Sequence, residues 1–162
     1  MHHLTNLATQ VGQALQQRGW KLATCESITG GGISQAITDI AGSSEWFDCG
    51  LVTYSNASKT RFLGVPETLI AEHGAVSEAV AAAMVRGALA HSDAQVSLST
   101  TGIAGPGGAV PGKPVGTVWL AVARRGEAPQ ALRLQLPGDR SAVREATVRE
   151  ALSQLMAITR PT

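Results

Sequence analysis

Ser27 stands in ATCESITGGGIS, residues 23–34, just after an apolar stretch and before Gly30, Gly31 and Gly32. A side chain in a strand-to-helix turn is presented at the carboxyl edge of a sheet, where α/β proteins bind ligands. Glycines let the backbone approach a ligand closely, and a helix N-terminus favours negative charge. That setting suits a serine nucleophile and its oxyanion. It equally suits a blander role, in which Ser27 and Thr29 cap the following helix. The turn is not the G-x-S-x-G elbow of hydrolases, so both readings stay open locally. Cys25 is a rival nucleophile, but strand alternation turns it inward.

A serine nucleophile needs a base. The histidines (His2, His3, His73 and His91) show neither a triad arrangement nor metal-ligand spacing. The lysines are Lys21, Lys59 and Lys113, and Tyr54 is the sole tyrosine. Tyr54 ends the VTYS segment and Lys59 follows in the first turns of a helix, so both can face the sheet edge that carries Ser27. An ordinary lysine, with a pKa near ~10.4, is neutral to roughly one part in two thousand at pH 7. Burial and a nearby positive field would have to lower it to roughly 7–8 for it to act as a base. The plain alternatives are a solvated Lys59 and a core Tyr54.

Two glycine motifs are excluded. GGAVPGKP, residues 107–114, is one letter from the phosphate-binding pattern G-x-x-x-x-G-K-[ST]. Pro114 replaces the Mg²⁺-ligating hydroxyl, Pro111 removes an amide, and a strand rather than a helix follows. A dinucleotide fingerprint fails because Gln35 occupies the third glycine position.

The elements that must position these residues follow from periodicity. Leu7, Val11 and Leu15 predict a helix over 4–17 that Gly19 ends. A strand over 20–25 and a helix over 33–40 flank the glycines. A strand over 45–55 leads to a helix over 56–63, with Asn56 as cap and Gly64 as stop. Pro66 opens a short helix over 66–73. Ser77 caps an alanine-rich helix to 90. Strands follow over 95–101, 117–124 and 130–136, with a glycine and proline loop over 102–116. Asp139 caps a last helix whose inner face carries Val143, Val148, Leu152, Leu155 and Met156. This order predicts a single α/β domain over 1–162, an α/β/α layered sandwich with a mixed sheet.

Composition limits the function. The 162 residues carry a net charge of +1 and 4% aromatics, which argues against nucleic-acid or anionic-membrane partners. No apolar run reaches the ~20 residues of a membrane span, and MHHLTNLATQVGQ lacks the core of a signal peptide. Two cysteines without CxxC spacing fit a reduced, cytoplasmic protein. Only 15% of residues are charged, against roughly 25% on average, so part of the surface is expected to be covered by another subunit.

Taken together, several motifs resemble the CinA C-terminal domain family, the nicotinamide-nucleotide amidohydrolases of the PncC type. They are ES-x-TGG (26–31), TDIAGSS (38–44), VTYSN (52–56) with Lys59, HGAVSE (73–78), TGIAGP (101–106), KPVGTVW (113–119) and GDR (138–140). The resemblance runs from about residue 7 to 156. Ile28 departs from it, standing where the family commonly has cysteine. The resemblance implies an α/β/α fold and hydrolysis of the carboxamide of nicotinamide mononucleotide, without metal or cofactor. Carried over by motif, Ser27 is the nucleophile, Lys59 the base and Tyr54 a partner that orients or relays protons. Substrate contacts are expected at Thr29, Gly30, Gly31, Thr101, Gly102, Ala104, Gly105, Arg140 and Arg144; the phosphate needs donors, which the TGIAGP loop, Arg140 near the last helix's N-terminus and Arg144 one turn on can supply. It also favours a dimer. The alternative is a non-catalytic mononucleotide-binding or competence-associated interaction protein.

Overall fold

The computed structural model describes residues 2–160, and of His2 and His3 the backbone alone, so the reading of those two side chains lies outside the described residues. The elements are α1 (His2–Arg18), β1 (Leu22–Glu26), α2 (Gly32–Thr38), β2 (Phe47–Val52), α3 (Asn56–Leu63), α4 (Glu67–His73), α5 (Glu78–Ala90), β3 (Val96–Gly102), β4 (Thr117–Arg124), β5 (Gln130–Gln135) and α6 (Arg140–Thr159). One five-stranded sheet has the order β2-β1-β3-β4-β5. β1 pairs in parallel with β2 and β3, whereas β3–β4 and β4–β5 are antiparallel. The mixed sheet and the α/β/α layering are as expected. Among the described residues no helix is long and apolar enough to cross a membrane.

Strand alternation sorts the core into two faces. Leu22, Val96, Leu98 and Val122 pack under α1, α2 and α6, with Val11, Leu15, Ile33 and Leu152 from the helices. Ala23, Cys25, Ala121 and Ala123 face the other way, against α5. These side chains are small, and so are Ala81 and Ala88 of α5, so this helix lies close to the sheet. Gly87 extends the close packing to α3: a Cβ there would lie 2.0 Å from the Leu63 carbonyl oxygen. The crossing of α5 and α3 thus fixes the helix that bears Lys59.

Most boundaries lie within two residues of those expected, and the departures have local causes. The expected strand 45–55 begins with a 3₁₀ turn (Ser43–Glu45), and regular pairing stops at Val52. Beyond it, the chain turns so that the Ser55 hydroxyl, not Asn56, caps α3 by accepting the Ser58 amide at 3.1 Å. Ser77 and Asp139 cap α5 and α6 as expected, accepting the amides of Val80 at 3.2 Å and Ala142 at 3.0 Å. Val143, Val148, Leu152 and Leu155 are buried and Met156 packs at the core's edge.

Candidate active site

β1 lies between two parallel neighbours and stops at Glu26, so Ser27 emerges at the carboxyl edge of the sheet. Both sides of that exit are pinned. The Ser27 amide donates to the Thr100 carbonyl of β3 at 3.0 Å, and the Thr53 amide donates to the Glu26 carbonyl at 2.9 Å. The second bond holds the segment leading into α3 beside Ser27.

Lys59 reaches back from the first turn of α3 and is buried, at 1% exposure. Its Nζ lies 3.1 Å from Ser27 Oγ and 3.0 Å from each of the Thr53 and Tyr54 carbonyl oxygens. No carboxylate pairs with it among the described residues. Burial alone pushes its pKa below the ordinary lysine value of 10.5. A neutral amine has two N–H groups and one lone pair. Two carbonyls can accept only from N–H, so they leave the lone pair facing the Ser27 hydroxyl. The geometry can therefore draw the proton from Ser27. The solvated reading of Lys59 does not survive this burial.

Glu26 escaped the sequence reading. It is fully buried, on the face of β1 opposite Ser27. Its carboxylate accepts from Thr29 Oγ1 (2.6 Å), the amides of Ile33 and Ser34 (both 2.9 Å) and Ser34 Oγ (2.8 Å). It therefore satisfies the first amides of α2, the role considered for Ser27 and Thr29. The signal was present: Glu26 is the one charged residue of the strand LATCE. Cys25 is buried, and burial pushes its thiol far above the ordinary range, as expected of a packing residue.

The cleft over Ser27 has a volume of about 230 Å³. Ser27 and Lys59 lie at its base, with Ile28, Ala75, Val76 and Ala104 as apolar walls. Tyr54, Asn56 and Arg140 supply its polar edge, and Thr101 and Gly102 complete the lining. Arg140 bridges the two sides, donating to the Gly105 carbonyl at 2.9 Å and to the Tyr54 hydroxyl at 3.3 Å. Tyr54 thus meets Lys59 through its backbone carbonyl, while its phenol, 61% exposed, meets Arg140.

The remaining expected substrate contacts fall outside this lining. Thr29 is buried between Glu26 and Thr100, whose hydroxyl lies 2.9 Å away. Gly30 and Gly31 take positive φ values of 56° and 101° and form the outer turn. Arg144 braces that turn from behind, donating to the carbonyls of Ile28 at 3.1 Å and Thr29 at 3.3 Å. Gly105 contributes its carbonyl to Arg140. The amides of Ser27, Gly30, Gly32, Ile33 and Ser34 are all engaged within the protein. Among the described residues, the amide of cleft-lining Ile28 donates to no protein acceptor.

Residues 4–159 match the CinA C-terminal domain. The chain belongs to the CinA C-terminal domain family. It is 52% identical over 158 residues to the nicotinamide-nucleotide amidohydrolase PncC of Pseudomonas putida, covering 98% of both chains. It is 51% identical to the PncC of Escherichia coli K12, covering 94% of this chain and 92% of that one. The crystal structure of the competence/damage inducible protein CihA from Agrobacterium tumefaciens superposes with a TM-score of 0.94 at 40% identity, over 98% of this chain and 96% of that one. The ES-x-TGG, VTYSN, HGAVSE, TGIAGP and GDR segments all contribute residues to the lining of this one cleft.

Proposed function

We propose that residues 1–162 form a single cytoplasmic CinA C-terminal-type domain that hydrolyses the carboxamide of nicotinamide mononucleotide, giving nicotinate mononucleotide and ammonia. The observation that carries this reading is the 3.1 Å contact between Ser27 Oγ and the buried Lys59 Nζ. The amidohydrolase names of relatives half identical over nearly the whole chain support the substrate.

In this mechanism neutral Lys59 takes the Ser27 proton as Oγ attacks the amide carbon. The negative charge that develops on the amide oxygen is held by the Ile28 amide, with the amides around Thr101 and Gly102 on the opposite wall. Collapse of the tetrahedral intermediate breaks the C–N bond. The Lys59 ammonium returns its proton to the departing amine, which leaves as ammonia. Water then attacks the ester, Lys59 accepts its proton, and Ser27 is restored. Ile28, Ala75, Val76 and Ala104 offer apolar contact for the pyridine ring. Arg140 is the phosphate ligand, since a phosphate at the cleft edge can take the guanidinium from the Tyr54 hydroxyl. A dimer, favoured by the low charged fraction, completes the proposal and is read directly by light scattering.

The test is ammonia release from nicotinamide mononucleotide by the purified protein, beside folded Ser27→Ala and Lys59→Ala variants. Release by the parent and by neither variant is expected. No release by the parent, with intact binding of the mononucleotide, would replace this reading by that of a binding protein.

A further inference from the structure

A second cavity, about 290 Å³, lies at the opposite end of the sheet between the C-terminal ends of α1 and α6 and the β4–β5 turn. It is larger than the cleft over Ser27, at about 230 Å³ on the same measure. Among the described residues, Arg18, Arg124 and Arg160 line it, together with a single carboxylate, Glu127, and the amides of Gln130 and Gln154. The chain as a whole has a net charge of only +1, so this concentration of guanidinium groups is local.

Arginines near helix C-termini often serve only to offset the helix dipole. Arg125 does so here, donating to the carbonyls of Leu89, Ser92 and Ala94 at the end of α5. Of the cavity arginines only Arg18 is engaged in that way, at the end of α6 and through a single bond. Arg18 gives one bond, from Nε to the Thr159 carbonyl at 3.2 Å. Arg124 meets Glu127 only at 3.9 Å. Arg160 makes no side-chain hydrogen bond or ion pair among the described residues. Arg18 and Arg124 both lie over the Trp20 indole, 4.8 Å and 4.6 Å from its ring centre. Most of the N–H donors of these two side chains are unbonded among the described residues. Like charges held together at a concave site are the setting for a polyanion, because planar forks match phosphate oxygens.

We propose that this cavity is a second ligand site, one that takes a multiply charged phosphate anion. It is remote from Ser27, since Arg124 pairs with Val96 at the start of β3 while Ser27 follows the end of β1. Trp20 makes the site visible to fluorescence, because an anion that draws on Arg18 and Arg124 changes the environment of the indole.

The test titrates the protein with inorganic pyrophosphate and, separately, with ADP, by calorimetry and tryptophan emission, with sodium chloride holding ionic strength constant. Saturable binding of pyrophosphate alone identifies a free phosphate ligand, and comparable binding of ADP a nucleotide; either supports the class. The paired Arg124→Gln and Arg160→Gln substitutions are expected to weaken binding at least about tenfold. Arg140→Gln, in the other cleft, is expected to change it by less than about twofold. Glu127→Gln removes the competing carboxylate and is expected to tighten binding, a gain that misfolding cannot mimic. Loss of binding in Arg140→Gln with the paired variant unaffected would assign the anion to the cleft over Ser27 and overturn the proposal. So would the absence of saturable binding by either anion.

Discussion

Replacing Lys59 by methionine removes the amine but keeps an unbranched side chain of similar length in a slot that is 1% exposed. The structure sets two separate consequences. The Thr53 and Tyr54 carbonyls each lose a donor at 3.0 Å. A buried acceptor left unpaired costs about 1–3 kcal/mol. Relief from burying an amine offsets part of this, so we expect a net loss of about 2 kcal/mol. For a chain of this size that is a fall of roughly 4–8 °C in Tm. The chemical consequence is larger, since loss of a positioned general base typically costs ~10²–10⁴ in kcat. The assay is ammonia release from nicotinamide mononucleotide across pH, with melting curves measured in parallel. In the parent, kcat/KM rises with pH through the pKa of Lys59, which burial holds below 10.5, because only the neutral amine accepts the Ser27 proton. The residual activity of the methionine variant should lack that limb. A folded variant that keeps more than about a tenth of parental kcat would refute the assignment of Lys59 as base.

Ser27→Ala should lower kcat at least ~10³-fold while leaving mononucleotide affinity within about threefold by calorimetry, since the side chain is small and one partner is lost. Arg140→Gln should raise KM for the mononucleotide about tenfold or more with little change in kcat, and should leave the phosphate-free riboside unaffected; equal effects on both substrates would remove Arg140 from phosphate binding. Gly87→Ala places a Cβ 2.0 Å from the Leu63 carbonyl oxygen, so α3 must shift. Overpacking of this kind costs about 1–3 kcal/mol, and kcat should fall as Lys59 moves; an unchanged Tm and kcat would refute the α5–α3 contact. Stability also depends on pH through Lys59. Its folded pKa lies below its unfolded value of 10.5, so its favourable term is present above pH 10.5 and is lost as pH falls through the folded pKa. Lys59→Met should remove that slope, which chemical denaturation across this alkaline window measures.

The fold was legible because its signals are periodic. Leu7, Val11 and Leu15 mark α1, and the small residues of β1 and the alanines of α5 mark their packed faces. The proposed catalytic pair was legible by type and order, but not its geometry. Nothing in the spacing of Ser27 and Lys59 says that the lysine is buried, because this depends on α5 pressing against α3 at Gly87. Thr29 was read toward the substrate from its motif position, and Arg144 from its place one turn beyond Arg140. The structure directs Thr29 to Glu26 and Thr100, and Arg144 to the carbonyls of Ile28 and Thr29. A motif records that a residue belongs near a site, and not whether its side chain faces the ligand or supports the turn that does. Glu26 was missed for the converse reason: a carboxylate in a strand reads as an exposed residue until its four donors are seen.

The two faces of β1 divide the work at the site. Glu26 points to the α2 side, where its carboxylate fixes the turn by holding Thr29, Ile33 and Ser34. Ser27 points to the α3 side, where Lys59 waits without an acidic partner. If both the acid and the lysine lay on one face they would pair, and the lysine would stay charged. The alternation of a β-strand keeps the buried carboxylate from the buried amine although their chain neighbours touch. The parallel pairing on both sides makes this separation rigid, since Thr53, directly after β2, supplies its carbonyl to Lys59 and β3 takes the Ser27 amide. The neutrality that the proposed base requires is thus a property of strand order and strand parity, and not of Lys59 alone.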